Sequence, residues 1–519
     1  MSGAKRFFIN GIILASATVI LRAVSVSFNA FVTKALGSEA VGLFTLVMSV
    51  YSLAIIFATS SVNLASVRLV SAALARLEKI NASEKEIKRV LKNELRGCVL
   101  YSLFFSLITS AVVFIFADFI GTRLLGDART VLSVRMLSVS LPFISVGSAV
   151  SGYFTGVRKA YKNAAISAIE QFVKIFFITL GLVTIAPKGI EYACVAVVGG
   201  GAVGEALSLV SDIAFFCTDK VRSRGSSLSN EPKEGSVKRA AIIAFPVALG
   251  SYVRQSLVCA EHIAIPSSLK KYGSDSSQAL ASYGILHGMV FPLIFFPASV
   301  LNSFSSLLVP EITACVATND TKKATVIAGK VIKTCLVFSF TVACIFLCFA
   351  EIFGVSVYDS LEAGRYITMI APLIPIMYLD TSVDFILKGL GEQLYTMGVN
   401  ILDAFLSLSL VLILVPRFAL PGYIASVYIV EIINCAMSLG RLVYVTGLRL
   451  KMDWVVKPFV SILLSFILTK TVFSFFSPAY SVQMVLCITL TLVLMRITGA
   501  VTKYDINYIK NTVKSVKNQ

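Results

Sequence analysis

Residues 142–156 read PFISVGSAVSGYFTG, and residues 375–389 read PIMYLDTSVDFILKG. The two stretches align without a gap at an offset of 233 positions, with proline at the start and glycine at the end of both. The same offset places Glu170 on Asp403 and Gly189 on Gly422. Because proline, glycine and acidic residues each have a particular backbone or charge role, their agreement at one offset indicates two homologous halves.

The composition is typical of an integral membrane protein. Hydrophobic residues make up 57% of the chain and the mean hydropathy is +0.85, whereas charged residues make up only 14%. Soluble domains contain about 25% charged residues. Apolar runs of about 20 residues, enough to cross a hydrocarbon core of about 30 Å, recur along the chain. An all-α polytopic fold is therefore predicted, and a β-barrel is excluded because the runs are long and apolar on every side.

We predict about fourteen transmembrane helices, called spans 1 to 14 below. Their approximate limits are residues 7–33, 41–66, 97–120, 131–156, 163–186, 190–216, 240–265, 279–308, 328–354, 364–388, 394–416, 421–446, 454–477 and 480–500. A polar, Ser-rich stretch interrupts the pattern after span 6. The predicted segments are a six-helix lobe at 1–217, a cytoplasmic linker at 218–239, a second six-helix lobe at 240–447, and two further helices with a basic cytoplasmic tail at 448–519.

The two lobes are predicted to be parallel repeats around a central cavity. Each has an even number of spans, so both copies enter the membrane from the same side and are related by an axis along the membrane normal. Near the start of each copy the offset is 242, which aligns residues 41–66 with residues 283–308. The smaller offset further on indicates extra residues in the first copy, after its second span.

The long inner loop at residues 68–96 is the natural place for those extra residues, and its second part has helical spacing. In residues 83–96 the apolar positions Ile87, Leu91 and Leu95 recur every four residues. This pattern predicts a separate amphipathic helix that lies along the inner membrane surface.

The distribution of charge predicts the orientation of the chain. The sequence contains 46 Lys and Arg against 28 Asp and Glu, a net charge of +18. With the N-terminus inside, the basic residues concentrate on the inner side, at residues 68–96, 220–239 and 503–517. These clusters are interpreted as topology determinants beside anionic lipid rather than as a nucleic-acid surface. Both termini are therefore predicted to be cytoplasmic.

No catalytic chemistry is predicted. The ten cysteines are scattered among the spans, with one local spacing at Cys344 and Cys348, and form no ligand pattern with the two histidines. They are interpreted as small core residues, so no metal site or cofactor is expected. The sequence also lacks the GxxxxGK[ST] phosphate loop and any hydrolytic motif. The chain is expected to be neither an enzyme nor an ATP-driven pump, and Na⁺ or H⁺ is the expected coupling ion.

Three stretches resemble a known family. They are residues 20–46 (ILRAVSVSFNAFVTKALGSEAVGLFTL), residues 283–312 (YGILHGMVFPLIFFPASVLNSFSSLLVPEI) and residues 420–447 (LPGYIASVYIVEIINCAMSLGRLVYVTG). They resemble the stage V sporulation protein B branch of the MOP exporter superfamily, beside the lipid II flippases and polysaccharide exporters. The resemblance covers nearly the whole chain.

The resemblance implies a fourteen-helix, two-lobed fold that alternates between inward-open and outward-open states in the bacterial plasma membrane. The implied substrate is an undecaprenyl-pyrophosphate-linked sugar, moved to the outer leaflet for cell-wall or spore-cortex synthesis. Implied partners are this lipid-linked oligosaccharide, membrane lipids and cell-wall synthesis enzymes.

Arginines in spans 1 and 8 are associated with the substrate cavity of the lipid II flippases. Arg22 lies where the first belongs, whereas the span 8 stretch at residues 283–288 has no Arg-Asp pair, and Phe28 and Asn29 stand where a further such pair often lies.

Charged residues inside spans supply the candidate substrate site. An ionisable group costs at least about 2.5 kcal/mol at the bilayer centre, so it should face a cavity or a partner. Arg22 and Arg254 lie near the middle of spans 1 and 7, and guanidinium groups match pyrophosphate oxygens as bidentate donors. A structural ion pair, for instance of Arg254 with Glu431, is the alternative. Asn29 and His287 are further candidates, and Lys34 either contacts the headgroup or reaches the interface.

Acidic residues supply the candidate ion-coupling site. Asn400 and Asp403 lie three positions apart in span 11, and with Glu261 in span 7 they are predicted to form a hard-cation or proton site in the second lobe. Glu170 is the repeat mate of Asp403 and suggests a symmetric site. The alternative is that Glu170 and Asp403 each anchor a hydrogen-bond network. The spacing of Asp380, Asp384 and Lys388 is interpreted as mainly self-paired.

Two other functions stay open. A cation-coupled multidrug exporter of the MATE type would repel its cargo at Arg22 and Arg254, which argues against that function. A non-transporting scaffold of a cell-wall synthesis complex would tolerate the loss of both charges.

Overall fold

The computed structural model describes residues 3–80, 82–219, 236–318, 320–475 and 480–501. Most of the predicted linker at 218–239 and the whole basic tail at 503–517 lie outside these residues. In the described part of the chain, twelve helices are long and apolar enough to cross a membrane, and Val482–Ile497 is a shorter apolar helix. One of the twelve contains both span 11 and span 12, so every predicted span has a helix. The all-α polytopic fold is confirmed.

The helices follow the predicted limits closely. Their bounds are Gly3–Leu36 for span 1, Ser38–Thr59 with Val62–Lys79 for span 2, Glu84–Ile115 for span 3, Val131–Gly156 for span 4, Ala160–Thr184 for span 5, Ile190–Cys217 for span 6, Ser236–Tyr272 for span 7, Ser276–Gly284 with Ile285–Val290 and Phe291–Ala317 for span 8, Thr321–Tyr358 for span 9, Leu361–Ile370 with Ala371–Leu373 and Ile374–Gly389 for span 10, Gln393–Thr446 for spans 11 and 12, Asp453–Phe475 for span 13 and Tyr480–Ile497 for span 14.

Spans 11 and 12 are separated at Ala419, whose φ of 52° and ψ of −135° are not helical. Pro421 follows and has no backbone N–H to continue the helix. Gly422 allows the two helices to turn tightly, because a Cβ there would lie 2.5 Å from the carbonyl oxygen of Leu414. Its repeat mate Gly189 lies at the corresponding turn, where its φ of 139° favours glycine. Both glycines of this repeat pair therefore mark a turn between spans.

Two compact units make up the chain. The first unit comprises Ala35–Ser267 and Ser276–Gly284, and the second comprises Met1–Lys34, Ser268–Asp275 and Ile285–Gln519. Span 1 thus belongs to the second unit and most of span 7 to the first. The predicted lobes at residues 1–217 and 240–447 follow the repeat in the sequence rather than these units. The division into lobes stays a prediction.

Each unit has its own apolar core. Buried side chains of spans 2, 3 and 4, including Val70, Leu91 and Phe154, pack together in the first unit. In the second unit, spans 9 and 10 pack with spans 12 to 14 around residues such as Leu336 and Val383.

Packing of span 4 agrees with the repeat. A Cβ on Gly156 would lie 2.9 Å from the Cβ of Val70 in span 2, and a Cβ on Gly389 would lie 3.1 Å from the Cβ of Ile312 in span 8. Gly156 and Gly389 are mates at the offset of 233, whereas Val70 and Ile312 are mates at the offset of 242. The same helix contact therefore occurs once in each copy.

A second glycine pair lies in direct mutual contact. Gly42 in span 2 and Gly284 in span 8 are mates at the offset of 242. A Cβ on Gly42 would lie 2.0 Å from the carbonyl oxygen of Leu280, and a Cβ on Gly284 would lie 2.6 Å from the backbone nitrogen of Gly42. The two helices approach backbone to backbone at this point, which only glycine permits.

The prediction of a separate amphipathic helix at residues 83–96 is wrong. The segment is helical, but it continues into span 3 as one helix of 32 residues, Glu84–Ile115, with Ser83 at its N-cap. Its apolar side, Ile87 and Leu91, is buried in the core of the first unit. A helix of this length is about 48 Å long and exceeds the hydrocarbon core of about 30 Å. The apolar side of this segment therefore packs against protein rather than against the membrane surface that was predicted for it.

The glycine contact yields a test. Gly42→Ala should lower the apparent melting temperature in detergent, because the new methyl group meets backbone atoms and overpacking costs about 1–3 kcal/mol. Gly201→Ala in span 6 is the matched control, since a Cβ there has open space, and it should be neutral or stabilising. Equal melting temperatures for the two variants would contradict the close contact.

Candidate functional site

Three charged side chains meet between spans 5 and 6 of the first unit. The Lys174 ammonium nitrogen lies 2.5 Å from Glu170 Oε1 and 2.6 Å from Glu205 Oε1. Ser208 Oγ donates a hydrogen bond to Glu170 Oε2 at 2.9 Å. Gly204 makes room for the lysine, because a Cβ there would lie 2.3 Å from Lys174 Cγ. Glu170, predicted as an ion-coupling residue, thus shares the Lys174 ammonium group with Glu205.

Beside this ion pair lies an open polar cavity of about 230 Å³ that is lined by spans 4, 5 and 6 and by Asn63. Glu170, Glu205 and Asp212 all line it. Lys174 pairs with two of these three carboxylates, those of Glu170 and Glu205. The arrangement is suited to small cations rather than to anions.

A second ion cluster joins the beginning of span 5 to the end of span 6. Asp219 Oδ1 lies 2.7 Å from Lys159 Nζ and 2.5 Å from Lys162 Nζ. Burial alone would raise the pKa of Asp219, but the hydrogen bonds from both ammonium groups outweigh burial and lower the pKa below its ordinary value. Asp219 is therefore a firmly ionised anchor for two lysines.

An acidic cluster lies in the second unit, in spans 10 to 12. Asp384 Oδ2 lies 3.3 Å from Lys388 Nζ and accepts a hydrogen bond from Asn400 Nδ2 at 3.4 Å. Asn434 Nδ2 donates to Asp380 Oδ2 at 3.2 Å. Asp380 and Asp403 lie close enough for their like charges to repel each other, and both repel Glu431. The Asp384–Lys388 pair agrees with the predicted self-pairing, although Asn400 joins it.

The predicted ion-coupling residues are divided between the units. Asn400 and Asp403 belong to the second unit, whereas Glu261 and Glu170 belong to the first. Asn400 contacts Asp384, a residue that the sequence assigned to a separate ladder. The roles of Asp403, Asn400, Glu261 and Glu170 in coupling stay predictions.

Arg22 and Arg254 are both exposed residues. Arg22 belongs to the second unit and Arg254 to the first. Among the residues whose side chains the structure describes, neither guanidinium forms a hydrogen bond or an ion pair. Because an arginine in an apolar helix cannot face lipid without a large cost, each must be in contact with water, lipid headgroups or a ligand.

Asn29 and His287 lie in the second unit near the π-helical turn Ile285–Val290 of span 8. Asn29 Nδ2 donates to the carbonyl oxygen of Gly288 at 3.1 Å, and His287 Nε2 lies 2.9 Å from the hydroxyl oxygen of Tyr423 in span 12. A π-turn leaves backbone groups available for such side-chain partners. The structure thus brings two predicted substrate-binding residues to one turn.

Lys34 ends span 1 and pairs with the loop after span 9. Its Nζ lies 3.2 Å from Asp359 Oδ2 and donates to the Ser356 carbonyl oxygen at 3.0 Å. Both partners are exposed, so this pair adds little stability.

Two polar clusters were missed by sequence reasoning. In the first unit, Ser60 Oγ lies 2.7 Å from the hydroxyl oxygens of both Tyr101 and Tyr252. In the second unit, the sulfur atoms of Cys344, Cys348 and Cys487 lie within 4.8 Å of one another. Only the Cys344–Cys348 spacing was visible in the sequence, because the remaining contacts join distant spans.

Comparisons with known proteins agree with this architecture. Residues 8–238 match the family model described as polysaccharide biosynthesis protein, and residues 264–413 match the model described as MatE. The chain is 24% identical to stage V sporulation protein B of Bacillus subtilis (strain 168) over 423 residues, which cover 80% of this chain and 79% of the relative.

Solved structures share the fold. The lipid II flippase MurJ in an inward closed conformation superposes with a TM-score of 0.70 at 14% identity, covering 95% of this chain and 99% of the flippase. An inward-facing multidrug resistance MATE family transporter of the MOP superfamily superposes with a TM-score of 0.62 at 14% identity, covering 84% of this chain and 99% of the transporter.

The ion pair of spans 5 and 6 yields a test. Lys174→Met should lower the apparent melting temperature, because Glu170 and Glu205 lose their shared cation. We expect a loss of about 1–3 kcal/mol, less than for a fully buried pair, since about a quarter of each side chain is exposed. The triple variant Glu170→Gln, Lys174→Met, Glu205→Gln should recover most of the loss. A single variant that melts like the wild type would contradict a structural ion pair.

Proposed function

We propose that this chain, a member of the MOP exporter superfamily, is an alternating-access flippase for an undecaprenyl-pyrophosphate-linked sugar. The cargo is a lipid II-like peptidoglycan precursor or a related polysaccharide unit, moved from the inner to the outer leaflet for cell-wall or spore-cortex synthesis. The likeness to a stage V sporulation protein B and to a lipid II flippase fold supports this substrate class.

The observation that carries the proposal is the pair of unpartnered arginines. Arg22 and Arg254 lie near the middle of the helices Gly3–Leu36 and Ser236–Tyr272, and both are exposed. Because the described side chains leave both guanidinium groups unpaired, each can donate to pyrophosphate oxygens without first breaking an ion pair. A carrier of cationic drugs would have no use for two such charges.

Polar groups on spans 1 and 8 support contacts to the sugar headgroup. Asn29 and His287 lie at the π-turn of span 8, where amide and imidazole groups can hydrogen-bond with sugar hydroxyls. Lys34, at the end of span 1, is assigned to the headgroup, in exchange for its weak pair with Asp359.

The acidic cluster of the second unit supports ion coupling. Asp384, Asn400 and Asp403 offer carboxylate and amide oxygens on two adjacent spans, the ligands that hard cations prefer. We propose that Na⁺ or H⁺ binds there, that Glu261 takes part in coupling, and that Glu170 marks the equivalent position in the first copy of the repeat.

The arginine proposal is tested by complementation. In bacterial cells depleted of their own lipid II flippase, the wild-type chain should restore outer-leaflet lipid II. Arg22→Ala/Arg254→Ala should lower that amount at least about tenfold, because a hydrogen bond to a charged group contributes about 1.5–3 kcal/mol. Lys271→Ala, at the exposed end of span 7, should have no effect.

Two outcomes decide against the proposal. If the folded wild-type chain restores no lipid II, the lipid II substrate is wrong and a different cargo or a scaffold function follows. If the double arginine variant works as well as the wild type, the arginines do not hold the pyrophosphate.

Ion coupling has its own test. The rate at which lipid II moves between the leaflets of reconstituted vesicles should rise when an inward Na⁺ or proton gradient is imposed. Asp403→Asn should remove that dependence. Asp453→Asn is the matched control, because Asp453 forms an exposed pair with Lys457 at the start of span 13. If the transport rate of the wild type and of both variants is the same with and without each gradient, the coupling site is ruled out.

A further inference from the structure

Three cysteine thiols converge inside the second unit. Cys344 and Cys348 lie four positions apart in span 9 and so share one face of that helix. Cys487 joins them from span 14, and the three sulfur atoms lie within 4.8 Å of one another. Cys344 and Cys487 are buried, and Cys348 is 9% exposed. Each cysteine by itself fits the prediction of a small core residue, whereas three sulfurs at one point form a set of metal ligands.

The spacing of the sulfur atoms suits a single metal ion. An ion about 2.3 Å from each of three sulfurs places those sulfurs about 4 Å apart. The observed spacing of at most 4.8 Å therefore requires only a small closure of the side chains. Because two of the cysteines belong to span 9 and one to span 14, an ion bound to all three would hold these two helices together.

Buried hydroxyl groups lie beside the sulfurs. Thr491 Oγ1 in span 14 donates to Cys344 Sγ at 3.7 Å and lies 2.7 Å from the Cys487 carbonyl oxygen. Ser465 Oγ in span 13 lies 2.7 Å from the same Thr491 oxygen. Both hydroxyl side chains are buried. Outer partners of this kind orient the ligands of a metal, and a donated hydrogen bond offsets part of the negative charge on a sulfur ligand.

The number of ligands and the charge of the ion select the metal. Thiolate sulfur is a soft ligand that favours Cu⁺, Zn²⁺ or an iron–sulfur cluster. Structural zinc sites and iron–sulfur clusters take four protein ligands, but among the described residues no fourth Cys, His, Asp or Glu joins the three cysteines. Charge favours the monovalent ion as well. Cu⁺ keeps the site neutral when it displaces one thiol proton, whereas Zn²⁺ must displace two, and uncompensated charge is costly in a buried site.

We propose that Cys344, Cys348 and Cys487 form a Cu⁺ site with three sulfur ligands, which fastens span 14 to span 9. The copper binds as Cu⁺ and remains Cu⁺, and the displaced thiol proton leaves to solvent. The site contains none of the residues assigned to the cargo or to the coupling ion, so this inference goes beyond the proposed function.

Competition for Cu⁺ with the colorimetric chelator bicinchoninate tests the proposal, on the purified full-length protein kept reduced under argon. The wild type should take up one Cu⁺ per chain. Cys487→Ala should weaken the affinity at least about tenfold, because the loss of an outer partner alone costs about 10–100-fold. Cys435→Ala is the matched control, since Cys435 is a buried cysteine of the same core outside the group of three, and it should bind as the wild type does.

Thermal unfolding gives a second measurement of the same site. One equivalent of Cu⁺ should raise the apparent melting temperature of the wild type and of Cys435→Ala but not that of Cys487→Ala, because an ion that binds only the folded state stabilises it. The same amount of Zn²⁺ should raise the melting temperature less. If Zn²⁺ stabilises the wild type as much as Cu⁺ does, the assignment to copper is overturned.

A further variant covers the case in which Cys487→Ala does not fold. Cys348→Ala removes a ligand at the least buried of the three positions, and it should weaken Cu⁺ binding by a similar factor. The proposal is overturned if the wild type leaves all Cu⁺ with the chelator, or if either folded variant binds Cu⁺ as tightly as the wild type. Failure of lipid II complementation leaves the copper measurement unaffected, so the two hypotheses fail separately.

Discussion

The cost of placing a charge in hydrocarbon governs the arrangement of this protein. An ionisable side chain within a span needs a partner, water or a ligand. Lys174 satisfies this requirement with two glutamates, and Asp384 does so with Lys388 and Asn400. Arg22 and Arg254 are the contrasting cases, because the described side chains give them no partner. The first group stabilises the helix packing, and the second group identifies where ligands are expected.

Much of the fold was predictable because hydrophobic length and glycine spacing are local signals. The runs of about 20 apolar residues predicted every span, and the offset of 233 predicted that Gly156 and Gly389 share a role, which their contacts with Val70 and Ile312 support. The amphipathic pattern at residues 83–96 was misleading. An apolar helix face does not reveal whether lipid or protein covers it, and here the core of the first unit covers it.

The candidate sites were less predictable, because their partners come from distant positions. The spacing of Glu170 and Lys174 indicates a pair within one helix turn, but Glu205 joins it from the next span. Asp212 lies five positions from the end of its helix at Cys217, and no sequence pattern indicates that it is buried. Its burial depends on Gly147 in span 4, where a Cβ would lie 3.1 Å from an Asp212 oxygen. Sequence spacing carries no signal of such a cavity.

The contact between Gly42 and Gly284 bears on how such a chain could arise. These two residues occupy matching positions in the two predicted repeats, and they touch each other. In a half-length ancestor that paired symmetrically, one glycine would have met its own copy, as residues on the axis of an isologous dimer do. Duplication and fusion of such an ancestor would let the two halves diverge, as the matched positions Glu170 and Asp403 illustrate. At the glycine contact that freedom is absent, because a side chain on either copy collides with the backbone of the other.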